Sequence, residues 1–135
     1  MALSAFAGTW QMESHDNFEA FLDAMEVPAP VKAKALSVKP TAEVAVDGNN
    51  VSIKLIGPER TIEQKLTLGE VFDLVNPVTG QTRKGIASME GSTLVVKPGE
   101  QYPKEPKSCY DIVGDKMVCT MSVGDVSCKR TFAKA

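Results

Sequence analysis

The chain has 135 residues, of which 43% are hydrophobic and 24% charged, and its formal net charge is −2. This composition is typical of a globular protein, and the charge argues against a nucleic-acid binder. No apolar run approaches the ~20 residues that span a bilayer, and the N-terminus lacks the pattern of a signal peptide. The three cysteines form no C-x-x-C motif, so we expect reduced thiols in the cytosol. Without any linker-like stretch, residues 1–135 are predicted to form one domain.

The N-terminal part is predicted to contain one strand, Gly8–His15, with His15 exposed near its end. Between Asn17 and Val38 two short helices are predicted, because four apolar side chains recur at helical spacing: Phe18, Phe21, Leu22 and Met25. Either Asp16 or Asn17 is expected to cap the first helix.

Prolines divide this helical segment into two. Val27-Pro28 is expected to end the first helix, because the residue before proline is disfavoured in the α conformation. Pro30 is compatible with the first turn of a second helix, where its missing N–H is not needed, and Lys39-Pro40 is expected to end that helix. The segment is therefore predicted to be a helix–turn–helix.

The rest of the chain is typical of antiparallel strands. Apolar and other residues alternate through residues 42–47 and 51–55, as in strands with one buried face. Gly48-Asn49 is predicted to be a type II′ hairpin turn. Further turns are expected at Glu90-Gly91, Gly114-Asp115 and Gly124-Asp125, with a longer one over residues 76–80. In total this pattern predicts about ten strands.

Ten strands linked by hairpins leave two exposed edges unless the sheet closes on itself. We therefore predict an all-β fold: a ten-stranded antiparallel up-and-down β-barrel, or clam, with the helix–turn–helix as its lid. A barrel of ten strands is too wide for its side chains to fill, so a cavity is expected inside. A closed sheet with a lid indicates a container for a ligand.

Six short stretches, in order along the whole chain, resemble the intracellular lipid-binding proteins, the family of fatty-acid-binding proteins. They are Gly8–Trp10, Asn17–Leu22, Lys39–Pro40, Leu68–Asp73, Gly114–Val118 and Cys128–Phe132. The resemblance implies the same lidded ten-stranded barrel and a ligand carboxylate held by two arginines and a tyrosine. Arg130 matches the arginine of the last strand, whereas Phe132 stands in place of the tyrosine and Tyr110 in place of the earlier arginine.

The predicted hairpins allow the positions of these residues to be compared. Two-residue loops at Gly114-Asp115 and Gly124-Asp125 place Tyr110, Cys119 and Arg130 in one row across three strands. By the same count, the next row holds Ile112, Met117 and Phe132, on the same face.

If that face points inward, Arg130 is a buried cation whose two rows contain no carboxylate. Because an unpaired buried charge is costly, a fatty-acid carboxylate is its expected partner, with the Tyr110 hydroxyl as a further donor. The alternative is that Arg130 points outward or pairs with an acid elsewhere. The full set of predicted ligand-binding residues is Arg130, Tyr110, Phe132, Cys119, Phe18, Leu22, Met25, Val38, Ile53 and Phe72. The apolar members are alternatively plain core residues.

Two further features have a functional and an ordinary interpretation. Cys119 beside Arg130 could have a lowered pKa and react with lipid electrophiles, or it is a small apolar core residue. Lys32 and Lys34 on the second helix could contact anionic membranes transiently, as the resemblance implies, or they form a solvated face.

No enzyme, metal or cofactor is predicted. His15 is the sole histidine, and the sequence contains no catalytic triad spacing, no metal-ligand motif and no phosphate-binding loop. The resemblance therefore implies a non-catalytic, monomeric, cytoplasmic carrier of long-chain fatty acids, with the nucleus as an additional location. The alternative, a bulkier ligand such as a bile acid, a retinoid or paired fatty acids, follows from the missing arginine and tyrosine, a departure that resembles the liver-like branch.

Overall fold

The computed structural model describes residues 3–58, 61–76, 80–99, 101 and 105–135. A 3₁₀ turn, Leu3–Phe6, precedes ten strands and two helices. The helices are α1 (Phe18–Ala24) and α2 (Ala29–Ser37). The strands are β1 (Gly8–Asp16), β2 (Thr41–Asp47), β3 (Asn50–Ile56), β4 (Thr61–Thr67), β5 (Val71–Val75), β6 (Thr82–Glu90), β7 (Thr93–Pro98), β8 (Lys107–Val113), β9 (Lys116–Val123) and β10 (Val126–Lys134). The predicted all-β barrel with a helical lid is confirmed.

All ten strands form one antiparallel sheet, ordered β4-β3-β2-β1-β10-β9-β8-β7-β6-β5. β1 pairs with both β2 and β10, which brings the two ends of the chain together. The strands β4 and β5 lie in contact but share no ladder of backbone hydrogen bonds. The closure is therefore less complete than the prediction of a barrel without edges.

A side chain bridges the space between β4 and β5. The Gln64 side-chain amide donates to the Asp73 carbonyl at 2.8 Å and accepts from the Val75 amide at 2.7 Å. The side chain thus offers β5 one donor and one acceptor, as the backbone N–H and C=O of a paired residue would. Gln64 thus ties the two edge strands together where the backbone does not.

The hairpin turns set the register of the C-terminal strands. Val113 pairs with Lys116 and Val123 with Val126, so both predicted two-residue loops are confirmed. Gly114 and Gly124 have φ of +63° and +57°, which favours glycine at the first central position of each turn. The loop between β6 and β7 consists of Gly91-Ser92, one residue later than predicted, because Glu90 still pairs with Thr93. Of the longer turn predicted at 76–80, residues 77–79 lie outside the described residues.

The first helix begins at the predicted position, with Asn17 as its N-cap, but ends earlier than predicted. Asn17 occupies the N-cap position with φ of +61° but makes no capping hydrogen bond; its side-chain amide instead donates to the Ser127 carbonyl at 2.8 Å. The helix ends at Ala24, before Val27-Pro28, because Glu26 adopts a left-handed conformation with φ of +59°. Asn17 therefore fastens the start of α1 to the first residues of β10.

The apolar core lies inside the barrel and under α1, whose Phe18, Phe21 and Leu22 are buried. In contrast, α2 has no fully buried residue. Among the described residues, no helix is long and apolar enough to cross a membrane.

Candidate ligand-binding site

The predicted row across the last three strands is present. Cys119 of β9 pairs with Tyr110 of β8 on one side and with Arg130 of β10 on the other. In the next row, Met117 pairs with Ile112 and with Phe132 by the same register. Because directly opposed residues place their side chains on one face, all six side chains share the inner face of the sheet.

Arg130 is 6% exposed, so its guanidinium lies inside the protein, and the alternative of an outward side chain is wrong. Its Nε has no hydrogen-bond acceptor, and no carboxylate of the described residues forms an ion pair with it. One terminal nitrogen donates to the Met121 sulfur at 3.9 Å, and a thioether is a weak acceptor. Inside the barrel, Arg130 is a cation with spare hydrogen-bond donors.

Aromatic rings cover the guanidinium. Its central carbon lies 5.7 Å from the ring centroid of Phe132 and 5.7 Å from that of Phe18. Both distances are near the ~6 Å limit of a cation–π contact, so each contact is a weak one. Since Phe18 is the first residue of α1, the lid itself packs on the buried cation.

Burial keeps the neighbouring titratable groups neutral. It raises the pKa of the Tyr110 hydroxyl far above its usual range, and Arg130 opposes this shift only in part. Burial likewise raises the pKa of the Cys119 thiol, despite the opposing effect of Arg130, and raises that of Cys128 to about 11. Of the two interpretations of Cys119, this direction favours the small apolar core residue over the reactive thiol, because loss of solvation outweighs the nearby positive charge.

Sequence reasoning missed a residue of this site, His15, which it had predicted to be exposed. His15 is half-buried, pairs directly with Arg130 across β1 and β10, and its ring lies 5.2 Å from that of Phe18. Trp10 and Met12 are buried, so strict alternation would direct Ser14 inward. The register shifts between Met12 and Ser14, and this β-bulge exchanges the two faces beyond it.

The remaining predicted site residues lie in different places. Ile53 is buried on β3 and lines a narrow interior cavity of about 40 Å³ that also contacts Tyr110, Gln64 and Asn76. Such a space holds only a few water molecules. Phe72 instead borders a cleft of about 450 Å³ beside the connections from β2 to β3 and from β4 to β5. Arg130 lines neither space.

Two residues near the helices complete the predicted set. Met25, half-buried at the end of α1, accepts a hydrogen bond at its sulfur from the Asn76 side chain at 3.7 Å. Val38 follows α2 in extended conformation and belongs neither to the apolar core nor to either cavity lining. The structure thus brings Phe18, Cys119, Tyr110 and Phe132 to Arg130 and leaves Val38 apart.

Polar groups suited to other chemistry are sparse. No group of three or more His, Cys, Asp or Glu side chains within the described ranges is arranged to hold a metal ion. The buried arrangement that remains is one guanidinium, one phenol and thiols held neutral, and it is suited to binding an anion through hydrogen bonds.

Comparison with known proteins identifies the family. The protein-family model described as "Lipocalin / cytosolic fatty-acid binding protein family" matches residues 4–135. A "Fatty acid-binding protein" of Lepidoglyphus destructor is 33% identical over 134 residues, which cover 98% of this chain and all (100%) of that protein. The "Fatty acid-binding protein, liver" of Sus scrofa is 30% identical over 125 residues, or 93% of this chain and 94% of that protein.

A solved structure agrees with this assignment. The "REP1-NXSQ fatty acid transporter" superposes with a TM-score of 0.90 at 25% identity, and the alignment covers 98% of this chain and 97% of that chain. A match over nearly the whole length in both sequence and fold leads to one conclusion. The chain belongs to the lipocalin / cytosolic fatty-acid binding protein family.

Proposed function

We propose that this protein binds a long-chain fatty acid inside its barrel and carries it, with the ligand carboxylate against Arg130. The observation that carries the proposal is the buried guanidinium, which has an unpaired Nε and no acidic partner among the described residues. Family membership supports the same ligand class, since the relatives above are named fatty-acid-binding proteins.

The electrostatics favour an anionic headgroup. A buried ion without a partner costs several kcal/mol, and a carboxylate that enters the barrel supplies both the opposite charge and acceptors for the spare donors. The Tyr110 hydroxyl lies in the same row and remains protonated, so it can donate a further hydrogen bond to the ligand. Phe132, Phe18 and Leu22 offer apolar surface to the first part of the acyl chain.

Ligand uptake requires movement. Arg130 and the Phe18 ring on it are both buried, so side chains over the guanidinium must move for a headgroup to reach it. Phe18 is suited to this role because its ring covers Arg130 and it belongs to the lid rather than to the sheet. In this proposal, the headgroup takes the place of the Phe18 ring on the guanidinium.

The protein acts in this proposal as a monomer without catalytic activity, in the cytoplasm and also in the nucleus. Transient contact with anionic membranes through Lys32 and Lys34 belongs to the same proposal. Lys32 forms ion pairs with Asp23 at 2.9 Å and Glu19 at 3.5 Å, and the Asp23 carboxylate in particular raises its pKa. Lys32 therefore remains charged, although two acids of α1 already balance it.

A displacement assay with a fluorescent fatty acid tests the proposal. Arg130→Leu is expected to weaken palmitate binding roughly 10- to 100-fold, the value of a charge-assisted hydrogen bond, and to change hexadecanol binding far less. Lys129→Leu, which alters the exposed neighbour on the outer face, is the matched control and should affect neither ligand. Equal losses for acid and alcohol in Arg130→Leu would remove Arg130 as the carboxylate partner.

The second candidate is a bulkier ligand, such as a bile acid, a retinoid or paired fatty acids. The family resemblance implies two arginines and a tyrosine at the headgroup. Here Tyr110 and Phe132 stand at two of those positions, so one guanidinium remains, and this favours the second candidate. Competition by palmitate, retinoic acid and a bile salt in the same assay ranks the candidates. Stronger displacement by the bile salt than by palmitate would favour the second candidate.

A further inference from the structure

We propose that His15 is the second cationic residue of the headgroup site, so that the protein binds anionic single-chain lipids more tightly as pH falls from 8 to 6. The inference rests on the proposed function and adds to it a residue and a pH response. It is carried by the β-bulge in β1, which directs His15 toward the inner face opposite Arg130.

The His15 imidazole lies beside the guanidinium. Direct partners in an antiparallel pair have Cβ atoms about 4.5–5.5 Å apart and project from the same face. His15 and Arg130 are such partners, and both contact the same Phe18 ring, at 5.2 Å and 5.7 Å respectively. The imidazole and the guanidinium therefore converge on the space that the Phe18 ring covers.

The pair of donors indicates an anionic ligand group. His15 and Arg130 lie on adjacent strands, and buried Arg130 has an unpaired Nε, so the two side chains suit an anion placed between them. A neutral headgroup gains little from a second cation, whereas a carboxylate or sulfonate gains a charge-assisted hydrogen bond from a protonated imidazole. The site is thus expected to select anionic over neutral lipids, increasingly so at lower pH.

The other titratable groups around this position do not change charge inside the barrel between pH 6 and 8. On the inner face next to Arg130, Tyr110, Cys119 and Cys128 all have pKa values raised by burial and stay neutral between pH 6 and 8. Lys129 on β10, Glu13 and Asp16 on β1 and Glu19 on α1 are exposed. Histidine is the side chain that ordinarily changes charge in this range. Protonation of His15 adds a positive charge beside an anionic headgroup, so affinity rises as pH falls.

The probe is hexadecanesulfonate, which stays anionic throughout this range, so that the ligand itself contributes no titration. Its affinity for the wild-type protein is expected to increase about five-fold from pH 8 to pH 6, the difference between a neutral and a charged hydrogen bond. In His15→Gln, affinity should be independent of pH. Hexadecanol should show no pH response with either protein.

A relocated imidazole provides the matched control. The double substitution Ser14→His with His15→Gln moves the ring by one residue to the outer face, where Ser14 is exposed, and should abolish the pH response. In wild-type protein, NMR titration of the imidazole protons should move to higher pH when sulfonate is bound, because binding and protonation are linked. This measurement needs no variant and is independent of how well the variants fold.

The outcomes separate this inference from the proposed function. Palmitate binding by wild-type protein at pH 8 is measured first, and its absence would overturn the function and the inference together. A pH response of sulfonate binding that persists in His15→Gln, or an imidazole titration that sulfonate leaves unmoved, would overturn the role of His15 alone.

Discussion

Arg130→Met is expected to stabilise the ligand-free protein while it weakens the binding of carboxylates. Methionine removes the charge but keeps an unbranched side chain that adapts to the space between Phe18 and Phe132. A more stable fold together with weaker carboxylate binding would show that the charge of Arg130 serves ligand binding and destabilises the ligand-free protein.

The magnitude follows from the surroundings of the guanidinium. Burial of an ion costs several kcal/mol, and the unpaired Nε contributes about 1–3 kcal/mol of that penalty. The two cation–π contacts, each near the limit of their range, offset about 0.5–1 kcal/mol apiece. We therefore expect the free energy of unfolding to rise by about 1–2 kcal/mol in Arg130→Met.

Urea unfolding of the delipidated protein measures this change, and a thermal scan should show a rise of roughly 4 °C per kcal/mol for a chain of this size. Lys129→Met is the matched control, because Lys129 is exposed and its replacement should stay within about 0.5 kcal/mol of wild type. A loss of more than about 1 kcal/mol in Arg130→Met would refute the reasoning, since the guanidinium would then have a favourable partner in the ligand-free protein.

Three other predictions concern different parts of the molecule. Gln64→Leu removes both hydrogen bonds from β4 to β5, so urea unfolding should show a free energy of unfolding lower by about 1–3 kcal/mol. An unchanged stability would show that these two hydrogen bonds do not hold the edge strands together. A bulky maleimide should react slowly with Cys119 at pH 7, because burial raises the pKa of the thiol. Once attached, it should abolish palmitate uptake. Normal uptake after modification verified by mass spectrometry would place the thiol outside the binding space. The double substitution Lys32→Gln with Lys34→Gln should slow the transfer of a fluorescent fatty acid to anionic vesicles without changing the affinity for that fatty acid. An unaltered transfer rate would mean that these lysines have no membrane role.

Local sequence signals were sufficient for much of this protein because hairpins define their own register. Once a glycine fixes a two-residue turn, every pair along the two strands follows by counting, and period-two alternation selects the buried face. The row of Tyr110, Cys119 and Arg130 was therefore predictable from residues 107–134 alone. The helix–turn–helix was predictable for a similar reason, since its apolar spacing and its prolines act within a few residues.

The features that counting missed arise from contacts between distant parts of the chain. Period-two alternation predicts that His15 lies on the outer face of the sheet. One extra residue in β1, accommodated where β1 pairs with β10, turns His15 to the inner face instead. Asp16 or Asn17 was expected to cap the first helix; Asn17 occupies the N-cap position, but its side-chain amide donates to the Ser127 carbonyl instead of making a capping hydrogen bond. Gln64 gave one local signal, a polar residue at an inward position between Ile62 and Leu66, yet its partners on β5 were not evident from that position.

Periodicity and turn geometry in the sequence were enough to predict about ten strands, the lid and the row that Arg130 shares with Cys119 and Tyr110. Only the folded barrel showed that this row faces inward and that two aromatic rings and a histidine, brought in by a bulge, surround the guanidinium. The physical reason is that burial, packing and bulges depend on how the barrel closes, and closure is a property of all ten strands together.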